Sequence, residues 1–171
     1  MNILTISGSL RARSSNTELL RALALLAPAS THVTMYEGLA ALPHFNPDLD
    51  QDGAVPPEPV RALRAQVAFA DAIVISSPEY AHGVPGALKN ALDWLVSGTE
   101  ILDKPIGLLN ASQHSLHAHP SIGETLRTMS ANVVAEASVT IPLAGRRLDA
   151  AEIAADPELA PLLRAALAAL G

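Results

Sequence analysis

The chain has 171 residues, of which 49% are apolar and 16% charged, the composition of one ordinary globular domain and not of a disordered segment. A formal net charge of -6 argues against a nucleic-acid partner, and the absence of cysteine excludes disulfides, thiol catalysis, cysteine metal sites and iron–sulfur clusters. The opening MNILTISGS has no basic leader and too short an apolar run for a signal peptide, and no apolar stretch approaches the ~20 residues of a membrane span, so a soluble cytoplasmic protein with no membrane partner is expected.

Asn2 to Ser7 is a short apolar run stopped by Gly8, the pattern of a buried strand. From Asn16 to Ala27, Leu19, Leu20, Leu23 and Leu26 recur at helical spacing, and Ser15 with Glu18 suggests a capping box at the start. Thr31 to Tyr36 reads as a second strand. Residues 38 to 57 carry Gly, Pro, Asn and Asp repeatedly and predict a long irregular loop. Val60, Leu63 and Val67 predict a helix entered through Pro56, Pro57 and Pro59.

Ala72 to Ser76 is continuously apolar, as a central parallel strand requires. A turn over 77–84 leads to a helix marked by Leu88, Ala91, Leu92 and Leu95. Ile106 to Leu109 predicts the fourth strand. Residues 112–120 form a histidine-rich loop, followed by a helix marked by Ile122, Leu126 and Met129, with Ser121 and Glu124 as a second capping box. Val133 to Ile141 predicts the fifth strand. Asp156 is placed to cap the last helix, whose stripe is Leu159, Leu162, Leu163, Leu167 and Leu170, with Pro161 expected to break and restart it.

Five strands alternating with five helices predict a doubly wound five-stranded parallel sheet with helices on both faces, in a single α/β domain over 1–171. Ligands of such sheets bind outside the carboxyl ends of the strands, which directs attention to residues 8–16, 77–84 and 111–120. The first of these loops leaves a strand and enters a helix whose open N–H groups suit an anion. Ser9, Ser14 and Thr17 add hydroxyls, Asn16 an amide and Arg11 a cationic fork. The P-loop signature, the dinucleotide fingerprint and the nucleophile elbow are all absent.

GSLRARSSN after the first strand and SSPEYAHGVPGALKNALDWL after the third resemble the NAD(P)H-dependent FMN reductases of the flavodoxin-like fold, a family that includes quinone, chromate and azo-dye reductases. The resemblance extends from the first strand to the fourth. It implies that Ser9, Arg11, Ser14, Asn16 and Thr17 hold the FMN phosphate. It implies that Pro78, Glu79, Tyr80, His82 and Gly83 run along the flavin ring, and that Ser112 and Gln113 begin a third flavin loop. It implies FMN as cofactor, NAD(P)H as co-substrate, a small-molecule electron acceptor and a homodimer or homotetramer. No catalytic side chain is assigned, since the flavin carries the chemistry. The chain departs from the family where Ala81 replaces a common Asn, and where His114, Ser115 and Leu116 replace common glycines. A flavodoxin-like one-electron carrier is the alternative reading, and a flavin-free phosphate-binding module a third.

Other candidates carry weaker chemistry. His114, His117 and His119 have no carboxylate or cysteine beside them in their loop, and Pro120 follows, so no metal is expected there. His82 is expected to shape the pocket rather than to act as an acid. Trp94 is expected to serve packing or an interface, and Glu79 and Lys89 to form an ordinary ion pair.

Overall fold

The structure, a computed structural model, describes residues 1–51, 53–143 and 145–171. Five strands form one parallel sheet: β1 (Asn2–Ser7), β2 (His32–Met35), β3 (Ala72–Ser76), β4 (Pro105–Leu109) and β5 (Asn132–Val133), in the order β2-β1-β3-β4-β5. That order and the all-parallel pairing are those of a flavodoxin-like sheet. Among the described residues there are six α-helices: α1 (Ser15–Leu26), α2 (Glu58–Phe69), α3 (Gly86–Asp93), α4 (Ala118–Thr128), α5 (Ala150–Ala155) and α6 (Leu159–Ala168). None is long and apolar enough to cross a membrane.

Strand alternation sorts the core into two layers. Leu4, Ile73, Ile75 and Leu108 pack with α2, α3 and α4 through Leu63, Leu92 and Ile122. Ile3, Val74 and Leu109 pack with α1, α5 and α6 through Leu20, Leu23, Ile153 and Leu163. Side chains such as Leu63 and Leu20 are fully buried, each worth about 1.5–3 kcal/mol in transfer free energy. Trp94 is a core residue: it is fully buried, donates Nε1–H to the Pro43 carbonyl at 2.8 Å and meets Phe45 edge-on at 5.1 Å. The long loop over 38–57, with Asp52 outside the described residues, contains two 3-10 turns at Leu39–Ala41 and Pro47–Leu49.

Several local expectations are corrected. The N-cap of α1 is Ser14, whose hydroxyl accepts the Thr17 N–H, so Ser15 is the first helical residue. Glu18 does not close a capping box there; its carboxylate accepts the Ala150 N–H at 3.0 Å and pairs with Arg21. Helix α4 begins at Ala118, which puts Ser121 inside it. Pro161 does not break α6, because it lies in the first turn, where its missing N–H would have had no intrahelical acceptor. Asp156 does serve the helix start, accepting the Glu158 and Leu159 N–H groups.

The largest correction is at the fifth strand. Its ladder stops at Val133; the Val134 N–H still donates to the Ile106 carbonyl, and the chain returns to the sheet edge through a bridge between Asn110 and Thr140. Ser138 causes the interruption, since its hydroxyl donates to the Val134 carbonyl and accepts the Leu108 N–H, replacing main-chain partners. Gly107 is part of the same arrangement, because a Cβ there would lie 2.8 Å from the Ala137 carbonyl oxygen. The extra helix α5 is held by a full capping box between Asp149 and Glu152.

Candidate functional site

The loops after β1, β3 and β4 leave the same end of the sheet and surround a cavity of about 690 Å3, within the range of small-molecule and cofactor sites. Ser15 and Asn16 line it from the first loop, Ser77, Pro78 and Glu79 from the second, and Asn110 to Ser115 from the third. A fourth wall comes from Leu143, Gly145, Arg146 and Arg147.

Each loop is braced by its own polar groups. Gly8 N–H donates to the Ser76 carbonyl at 2.8 Å, and a Cβ at Gly8 would collide with the Ser77 side chain. The Ser7 and Thr17 hydroxyls are 2.8 Å apart, and Ser9 Oγ accepts the Arg11 N–H. Asn16 is buried and its Oδ1 accepts from the Ser76 hydroxyl at 2.9 Å. The Ser15 and Asn16 N–H groups, at the first helical positions, have no intrahelical acceptor and stand at the cavity wall. In the third loop Asn110 Oδ1 accepts the Ser112 N–H, and Ser112 Oγ accepts the His114 N–H.

Of the expected site residues, Asn16, Pro78, Glu79, Ser112 and Gln113 border the cavity directly. Arg11 and Ser14 border a neighbouring space of about 390 Å3 with Arg13 and Arg147, and Arg147 also faces the main cavity. Thr17 and Ser9 brace the first loop from behind. Tyr80 and His82 are exposed at the tip of the second loop, which half-buried Gly83 closes by reciprocal hydrogen bonds with Tyr80. Ala81 and His82 there adopt left-handed backbone, with φ of 49° and 57°, a conformation that costs ordinary residues about 1–2 kcal/mol.

Glu79 is not paired with Lys89, which instead meets Asp93. Its Oε2 accepts the His117 N–H at 2.7 Å, the Ala118 N–H at 2.8 Å and the Ser115 hydroxyl at 3.3 Å. The Ala118 N–H above all, with that of His117, holds the Glu79 carboxyl below its ordinary value. The three loop histidines do not converge. His119 Nε2 lies 3.1 Å from the Leu108 carbonyl, whereas the His117 ring stacks on His82.

Sequence reasoning missed Arg146 and Arg147. The pair stands out as a basic Arg-Arg dipeptide after Gly145, yet its position depends on the interrupted fifth strand. Arg146 is fixed by Asp156 across the loop. The guanidinium, followed by the Glu158 and Leu159 N–H groups, keeps the Asp156 carboxyl below its usual range.

The residues present fit a phosphorylated, flat heteroaromatic ligand: open helix N–H groups and arginines lie at one side of the cavity, and amide-bearing loops at the other. Known proteins agree. A quinone reductase of Escherichia coli (strain K12) is 40% identical over 106 residues, which are 62% of this chain and 54% of that protein. A 2-hydroxy-1,4-benzoquinone reductase of a Burkholderia species is 43% identical over 94 residues, 55% of this chain and 49% of that protein. The chain thus spans about half the length of the curated relatives it matches. Among solved structures, the flavoenzyme NAD(P)H:(acceptor) oxidoreductase of Paracoccus denitrificans superposes with a TM-score of 0.75 at 25% identity, covering 99% of this chain and 94% of that one. Residues 1–145 match the family described as NADPH-dependent FMN reductase, and the chain belongs to that family.

Proposed function

We propose that this chain is an FMN-dependent oxidoreductase, using NAD(P)H as co-substrate to reduce a small acceptor. Free flavin, quinones, chromate and azo compounds are the acceptor classes, and the quinone reductases among its relatives favour a quinone. The observation that carries this reading is the cavity of about 690 Å3 at the carboxyl end of the sheet, bounded by the open start of α1 and by Arg147. FMN, when bound, supplies the hydride chemistry between NAD(P)H and the acceptor.

The chain's own residues bind and orient. The Ser15 and Asn16 N–H groups, with Arg11 and Arg147, take the phosphate. Ser9, Ser14 and Thr17 hold that loop in shape. Pro78, Glu79, Ser112 and Gln113 border the ring, with the Tyr80, His82 and Gly83 tip above it. Exposed Leu10, Tyr80 and Leu116 in these loops support a homodimer or homotetramer, which light scattering of the purified protein tests. The working unit is one domain over 1–171, acting in the cytoplasm.

An absorbance spectrum after FMN addition, followed by NADPH under anaerobic conditions, tests the reading. Flavin bands that stay with the protein on desalting and bleach rapidly with NADPH are expected. A protein that retains no flavin overturns it, and one that retains FMN without consuming NAD(P)H is a one-electron carrier.

A further inference from the structure

The loops after β3 and β4 meet a second time, beside the cavity. There the Glu79 carboxylate and the His82 and His117 imidazoles each bring a ligand atom to within 4.8 Å of the others. The two rings are exposed and stacked, with centroids 4.4 Å apart and an interplanar angle of 27°. None of the three side chains is a sequence neighbour of both others, so the grouping exists only through the fold.

Two features prepare the group for a ligand. The strained pair Ala81–His82, at φ 49° and 57°, is held by the Tyr80–Gly83 hydrogen bonds and brings His82 against the opposite loop. Backbone strain of this kind persists only where its surroundings impose it. Glu79, for its part, spends Oε2 on all three of its hydrogen bonds, which leaves Oε1 without a protein partner among the described residues. The carboxylate is therefore fixed in place by one oxygen and open at the other.

We propose that Glu79, His82 and His117 form a binding site for a divalent late first-row transition-metal cation, of which Zn2+ is the probe. Two imidazole nitrogens and one carboxylate oxygen are a borderline donor set that favours such ions over Mg2+ or Ca2+. Three protein ligands leave one tetrahedral position to water or an anion. Bonds of 2.0–2.1 Å put tetrahedral ligand atoms ~3.4 Å apart, closer than the present 4.8 Å limit. Both exposed rings turn about χ2 to close that gap, and in doing so they unstack, because each lone pair lies in its ring plane. The ion would staple the second loop to the third. The assignment departs from the expectation of no metal because the ligands come from two loops, and it stands whether or not the cavity takes FMN.

Calorimetric titration of chelator-washed protein with ZnCl2 at about pH 7.5 tests it. One Zn2+ per chain is expected. His82→Asn, which tolerates left-handed backbone, and His117→Ala should each weaken binding roughly tenfold or more, while His114→Ala stays within about twofold of wild type. Circular dichroism checks that every variant is folded, and His117→Gln replaces His117→Ala if the latter is not. Absence of saturable wild-type binding overturns the site. So does wild-type affinity in the folded His82 and His117 variants, or an equal loss in His114→Ala.

Discussion

Glu79 in the loop after β3 accepts the backbone N–H of Ala118, the first residue of α4, at 2.8 Å. Helix α4 has no cap from its own N-cap side chain, so a carboxylate from another loop does the work. An anion at a helix start satisfies open donors and complements the helix dipole. The second and third loops are thereby tied together at the edge of the cavity. Glu79→Gln keeps the shape and removes the charge. It is expected to speed amide hydrogen exchange at His117 and Ala118 and to weaken FMN binding, whereas exchange in β3 stays unchanged.

The same contact gives a pH dependence. Glu79 and Asp156 both titrate below their ordinary values of 4.5 and 3.8 in the folded protein. A carboxyl depressed by folding stabilises the native state above its unfolded pKa, and that contribution disappears as pH falls through the folded value. Stability should therefore be flat with respect to these two groups at neutral pH and fall as pH drops below about 4.5. Urea unfolding at stepped pH reads this, and Glu79→Gln should flatten the acid limb.

Arg64 provides the clearest stability test. Its guanidinium meets Asp50 at 2.8 Å and the Trp94 carbonyl at 2.7 Å, and the two side chains are only 16% and 5% exposed. Arg64→Ala leaves a nearly buried carboxylate without its partner, and a loss of about 1.5–3 kcal/mol is expected from denaturant unfolding.

The φ of 49° at Ala81 makes the opposite prediction. Asn tolerates left-handed backbone better than Ala, so Ala81→Asn should stabilise the protein by about 0.5–1 kcal/mol. An unchanged or lower thermal midpoint would contradict it.

Arginines at the mouth of the cavity differ in position. Arg147 borders both spaces and Arg11 the smaller one. Replacing either with alanine should weaken FMN by about 1.5–3 kcal/mol, the loss of one charge-assisted contact. Arg13→Ala should cost less. Fluorescence titration of the three variants separates them.

The sheet was readable because its central strands are uninterrupted apolar runs, as in Ala72–Ser76, and because Gly8 marks the end of β1. The topology then pointed to the three loops that surround the cavity. What the chain concealed were interactions that cross it. Ser138 replaces main-chain partners with its hydroxyl, and no periodicity in Val133–Ile141 reveals that. Helix α5 buries only Ile153, too little for an apolar stripe, although its Asp-Ala-Ala-Glu start is a visible capping signal. Arg147 reaches the cavity only because the fifth strand stops early. The meeting of His82 with His117 likewise depends on how two separate loops approach each other.

Ser138's interruption of the sheet also bears on the order in which the molecule is completed. The wall formed by Leu143, Gly145, Arg146 and Arg147 is delivered late in the chain, and the Glu18–Ala150 hydrogen bond that anchors its far end joins residues 132 apart in sequence. During synthesis, the first four strands can emerge and pair while the binding surface is still open on one side. A nascent or shortened polypeptide that stops before Arg146 has most of the sheet and three walls of the cavity, and it should hold its ligand less tightly for want of Arg146 and Arg147 on the fourth.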